Sequence, residues 1–250
     1  MRYFLKLSYN GASFHGWQIQ PNAVSVQSTI EEALSTILRQ TTGIVGAGRT
    51  DTGVNARVMY AHFDYDGELP DKTKLINSLN RLVGRDIAIY DIIPVADDAH
   101  ARFDATARTY KYFVTHQKSP FMYPYSWHCP QRLDYDKMNE ACEVLKRHID
   151  FTSFSKLHTD VKTNNCRIDY AHWEQEGEMM VFTITADRFL RNMVRAVVGT
   201  LVEVGRGKIS VDDFEQIILK KDRCSAGTSM PPQALFLWNV DYDYISDAVN

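Results

Sequence analysis

Apolar and polar positions alternate over residues 2–9. Phe4 and Lys6 fall on one side and Tyr3, Leu5 and Leu7 on the other, the period of two that a half-buried strand requires. From Ser25 to Gln40 the period lengthens: Val26, Ile30, Ala33, Leu34, Ile37 and Leu38 form one helical stripe, and Ser28 with Glu31 has capping-box spacing. Strands are predicted over 58–65 and 87–95, on either side of a polar helical stretch near 72–82. Residues 109–116, aromatic and β-branched, make a further strand.

The cycle then begins again. Leu133, Met138, Ala141, Cys142 and Leu145 have helical spacing, and 166–174 with 179–186 reads as a hairpin turned at Glu176-Gly177-Glu178. An apolar helix is predicted over 189–204. Another opens at Ser210 with Phe214, Ile217 and Ile218, and 235–242 closes the chain as a strand. Two successive runs of this kind predict an α+β fold of two similar subdomains, residues 1–118 and 119–250. Their seam is placed between His116 and Leu133, where Pro120, Pro124 and Pro130 break any regular element.

Composition narrows the class. With 250 residues, 44% hydrophobic and 24% charged, the chain has the means to bury a sizeable core, which excludes disorder and fibrous repeats. No apolar run approaches the roughly 18 residues of a membrane span, and the N-terminal segment is too polar for a signal peptide. Cys129, Cys142, Cys166 and Cys224 include no C-x-x-C pair, which disfavours a zinc knuckle or redox dithiol and suits free thiols in the cytoplasm. A net charge of −3 speaks against a nucleic-acid partner in bulk. Phosphate binding, however, needs only a local basic surface.

The densest chemical signal is Gly46-Ala47-Gly48-Arg49-Thr50-Asp51-Thr52-Gly53. Glycines at this density permit positive φ and close approach to a ligand. A capped turn explains Asp51 and its threonines without any function. A phosphate-binding loop lacks its G-x-x-x-x-G-K-[ST] pattern. An aspartic protease shares D-T-G, but Arg49 would hold the carboxylate ionised where that chemistry needs a shared proton. Elsewhere, Arg188, Arg191 and Arg195 have the spacing of one helix face, ordinarily a solvated one. His15 and Trp17 suit either stacking on RNA or anchoring a loop.

Taken together, the motifs resemble the TruA family of tRNA pseudouridine synthases. The resemblance runs through Tyr9-Asn10-Gly11, Phe14-His15-Gly16-Trp17-Gln18, Ser25-Val26-Gln27 and the Asp51 run. It continues through 100–112 (HARFDATARTYKY), Phe151-Thr152-Ser153-Phe154, Phe189-Leu190-Arg191-Asn192-Met193-Val194-Arg195 and Pro232-Gln233-Ala234-Leu235-Phe236-Leu237, and so covers nearly the whole chain. It implies subdomains whose antiparallel sheets merge around a central cleft with helices on the outer face.

It further implies isomerisation of uridine to pseudouridine at positions 38, 39 and 40 of the tRNA anticodon stem-loop by a homodimer, without metal or redox cofactor. Asp51 would be the nucleophile. Arg195 would pair with its carboxylate, making a charge pair between the subdomains, and Tyr110 would stack on the base and assist proton removal. Arg49 would help to flip the target uridine, and Leu235 would form an apolar wall. Arg57, Arg102, Arg108 and Lys111 are candidates for the RNA backbone by their proximity to the matched motifs. Ala234 departs from the family's usual glycine and would resist a left-handed backbone.

Overall fold

In the computed structural model the described residues are all but 68, 70, 157–162 and 246–250. In chain order the elements are β1 (Arg2–Tyr9), α1 (Val26–Leu38), β2 (Val45–Gly46), β3 (Asn55–Asp64), α2 (Lys72–Leu82) and β4 (Ile87–Val95). There follow β5 (Ala107–Thr115), β6 (Trp127–His128), α3 (Tyr135–Leu145), β7 (Ile168–Glu176), β8 (Met179–Ala186), α4 (Met193–Gly205), α5 (Val211–Lys220) and β9 (Leu235–Asp241). This is the α+β content that the periodicities predict. The chain divides into two units: Met1–Thr106 with Leu237–Asn250, and Ala107–Phe236. The sequence reading places the seam some way later, in 116–133. The prolines there mark a connection inside the second unit, because β5 pairs along its whole length with β8.

In the first unit β1 runs antiparallel to both β3 and β4, β2 adds to β3, and β9 lies on the other side of β3. Val26, Ile30, Ala33, Leu34 and Leu38 are the buried stripe of α1, and Leu75 and Leu79 that of α2. Helix α1 starts one residue after Ser25, whose capping box closes with Ser28 and not Glu31. Glu31 instead accepts the Ile44 amide at 2.9 Å, tying the end of the following loop to the helix. Strand β1 is half-buried, as its alternation predicts: Tyr3, Leu5, Leu7 and Tyr9 on one face are all buried, whereas on the other Phe4 is buried between half-buried Arg2, Lys6 and Ser8. The rings of Tyr242 and Tyr244 pack edge-on against Phe4, at 5.4 and 6.2 Å between centroids.

In the second unit β5, β8 and β7 form an antiparallel sheet, and β6 runs parallel to β5. Trp173 and Phe182 stack at 5.1 Å within its core. Gly177, at φ 61°, turns the predicted hairpin. Helix α4 is buried along almost its entire length. It begins at Met193, later than the predicted 189, because Asn192 takes a left-handed conformation at φ 66°. Arg188 and Arg191 therefore precede the helix and do not share a helical face with Arg195.

Both sheets end in the same device. Asn80 of α2 accepts the Ile89 amide at 2.7 Å and donates to its carbonyl at 2.9 Å. Asn139 of α3 does the same to Trp173, at 2.8 and 3.0 Å. One carboxamide thus satisfies both backbone groups of a residue on an edge strand.

Candidate active site

Asp51 lies in the loop that leaves the sheet after β2, where the Ala47 amide still bonds to Tyr60 O, and returns at Asn55. The loop is gripped from the β1 side. Tyr9 Oη and Thr50 Oγ1 are 2.9 Å apart in a buried hydrogen bond, and the Trp17 amide donates to Thr50 O at 3.2 Å. The Gly11 amide donates to Asn55 Oδ1 at 2.8 Å, and the Val54 amide to Asp51 O at 3.1 Å. Gly16 makes this approach possible: its φ is 89°, and a Cβ there would sit 2.5 Å from Thr50 O. Of the glycines in 43–53, only Gly53 takes a positive φ. The permissive residues therefore lie largely in the opposing segment.

Between these anchors Asp51 is half-buried and Arg49 exposed. Trp17, only 3% exposed and 6.1 Å from the Tyr9 ring, anchors the loop and is no stacking surface, whereas His15 is exposed. Tyr9 and Asn55 escape a reading by local spacing, since their contact with the loop is made only by folding.

The second unit holds the remaining candidates. Tyr110 pairs with Ile184 across β5 and β8, and the Phe189 ring meets it edge-on at 5.0 Å between centroids. Both rings are half-buried, which leaves aromatic surface beside polar backbone. Arg195 sits in the first turn of α4 and is held twice by Met230: its Nε donates to Met230 O at 2.5 Å, and the Met230 amide donates to Arg195 O at 3.1 Å.

The 226–231 loop that carries Met230 lies directly on α4. Thr228 O comes within 1.9 Å of where a Cβ of Gly199 would be, and the Gly227 amide donates to Thr200 Oγ1 at 2.9 Å. Asn192 and Arg223 both donate to Ser229 Oγ, at 2.6 and 3.0 Å. Tyr112 Oη donates to Pro231 O. Burial raises the Tyr112 phenol well above its ordinary range, and the Arg195 charge draws it part of the way back. Tyr112 and Phe189 thus stand beside the candidates from within motifs that assign them no role, and Arg223 and Ser229 from outside any motif.

Leu235 is buried, and the preceding Ala234 is fully buried at negative φ. Its methyl packs without demanding the left-handed backbone that a glycine would suggest. The backbone-contact candidates are variously placed. Arg57 lies 5.2 Å from the Trp238 ring centre and Arg102 5.7 Å from that of Phe103. Arg108 donates to Asp187 O at 2.8 Å. Lys111 pairs with Glu176 at 2.5 Å and is 16% exposed, so its charge is already balanced within the unit. Among the described residues, no three His, Cys, Asp or Glu side chains cluster as metal ligands, and no helix is long and apolar enough to cross a membrane.

Residues 141–243 match the family model described as tRNA pseudouridine synthase. A tRNA pseudouridine synthase A of Parabacteroides distasonis is 61% identical over 241 residues, which cover 96% of each chain. The chain belongs to the tRNA pseudouridine synthase family. Its Bacteroides fragilis relative of the same name is 60% identical over 96% of each chain. A more distant one from Bacillus licheniformis is 37% identical over 97% of this chain and all of its own. As a member of the family the protein is an isomerase.

Proposed function

We propose that the protein isomerises uridine to pseudouridine at positions 38, 39 and 40 of the tRNA anticodon stem-loop, as a cytoplasmic homodimer with Asp51 as nucleophile. The observation that carries the catalytic part is the loop around Asp51. An isolated D-T-G turn needs only local bonds, yet here Tyr9, Gly11, Gly16 and Trp17 converge on the residues either side of the carboxylate. Holding a nucleophile in one geometry is what covalent catalysis requires. The names of the relatives support tRNA as the substrate.

In the proposed reaction the uridine is first extracted from its stack, aided by Arg49. The carboxylate of Asp51 attacks to form a covalent adduct, the bond from uracil N1 to the sugar breaks, and the freed base turns and rejoins the sugar through C5, the bond to Asp51 breaking to regenerate the carboxylate. The C5 proton is then lost and N1 gains one, so the product is an isomer. Tyr110 supplies a face for the detached base and assists the C5 proton transfer, and Leu235 adds an apolar wall. Arg195 supplies the cation that faces the carboxylate of the nucleophile.

Purified protein incubated with unmodified tRNA, followed by mapping of pseudouridine by position, tests the whole reading. Modification confined to the anticodon arm is the expected result, and modification elsewhere would move the site specificity to other uridines. Asp51→Ala is expected to reduce product at least about a thousandfold. Product formed by that variant at the wild-type rate would remove Asp51 from the chemistry.

A further inference from the structure

The 99–104 turn of the first unit combines a rigid frame with an aromatic side chain turned outward. Phe103 is 74% exposed, so most of the stabilisation that burying its ring would contribute is forgone. A mobile tip tolerates this; the 99–104 turn is braced at every step. The His100 amide donates to Asp104 Oδ2 at 2.7 Å, and the Asp104 amide returns to His100 O at 3.0 Å. His100 Nδ1 accepts the amides of Arg102 and Phe103, at 3.1 and 3.3 Å. From behind, Ala101 donates to buried His62 at 3.1 Å and accepts from Tyr242 Oη at 2.5 Å, while Tyr244 Oη donates to Asp104 at 2.9 Å.

The frame fixes what it displays. The imidazole of His100 backs the Phe103 ring at 4.2 Å between centroids, and the Arg102 guanidinium stands 5.7 Å from the ring centre, within cation–π range. A supported aromatic side chain with a cation beside it is the combination by which proteins hold unpaired nucleotides, the ring stacking on a base and the cation meeting its phosphate.

We propose that Phe103 stacks on an unpaired base of the substrate RNA and that Arg102 contacts the adjoining phosphate, a binding site distinct from the Asp51 loop. The proposal rests on the reading that the substrate is tRNA, and its test needs no turnover. Binding of an unmodified tRNA transcript to the full-length protein is measured at several salt concentrations. Phe103→Ala is expected to weaken binding about five- to 150-fold with an unchanged salt slope, and Phe103→Trp to restore it. Arg102→Gln is expected to reduce the slope of log affinity against log salt by about one.

Affinity of Phe103→Ala within about twofold of wild type would overturn the proposal. So would a fall in the gel-filtration mass of that variant, which would make the turn a contact between copies of the chain. If Asp51→Ala remained active while these binding changes were seen, the nucleophile assignment would fail and the RNA site would stand.

Discussion

At the scale of single residues, Tyr9 is the clearest case of a side chain working through its neighbour. Its hydroxyl meets Thr50 Oγ1 in a buried bond, one residue before Asp51. Tyr9→Phe keeps the ring and its packing against Trp17 but strands the threonine hydroxyl, a loss of roughly 1–3 kcal/mol. Because the proposed nucleophile would lose much of its advantage if displaced by a fraction of an ångström, kcat is expected to fall by up to about 100-fold with KM little changed. In a double-mutant cycle Thr50→Val should add little to Tyr9→Phe; full additivity would show that the bond does not position the loop. Asp51 itself is legible in the chain because its motif is contiguous. Tyr9 is not, since 41 residues separate it from Thr50 and only the pairing of β1 with β3 brings them together.

At the scale of elements, α4 and the loop laid on it act as one piece. The apolar run from Phe189 continues the helical period, which is why periodicity alone extends the helix too early; the left-handed Asn192 ends that continuity. Similarly, serine and glutamate at capping spacing suggest Ser28–Glu31, while the helix starts a turn sooner on a second serine. The strands and the hairpin are legible because alternation survives wherever one face is buried. Gly199→Ala would drive a methyl into Thr228 O. The loop must lift, and the Met230 bonds that fix Arg195 go with it. Overpacking of this kind costs about 1–3 kcal/mol, and kcat is expected to drop at least about tenfold. Wild-type turnover in a fully folded Gly199→Ala protein would show that the seat of the loop does not govern Arg195.

At the scale of the whole molecule, the buried histidine beneath the 99–104 turn sets a limit in acid. Burial, reinforced by the charge of Arg2 and by His100, pushes the His62 imidazole down to about 4. Its ordinary value is about 6.5. The unfolded chain therefore binds a proton that the folded one refuses across that interval. The stability contributed by neutral His62 is complete above about 6.5, is lost as pH falls from there, and is gone below about 4. Asp64, held low by the Arg2 guanidinium, and Asp104, held low by the His100 amide, act in the same direction at still lower pH. Thermal melting followed by circular dichroism is expected to show a Tm that is level between pH 7 and 8 and falls from pH 6 to 4. His62→Gln should flatten that fall, and an equal slope in both proteins would exclude His62 as its source.

The asparagines at β4 and β7 have a consequence for assembly. An open sheet edge is a template that another strand extends without any matching of side chains. At β4 that template is broken three times over: by Asn80 on the Ile89 backbone, by the irregular register between Lys6 and Leu7, and by Pro94, which has no amide to offer. At β7 it is broken by Asn139 and by the shift between Ile168 and Tyr170. Growth by strand addition is thereby discouraged at each of these strands. In the proposed homodimer a second copy of the chain would recognise its partner through side-chain surfaces, where the pattern of charge and shape is individual and fibre-like propagation finds no foothold.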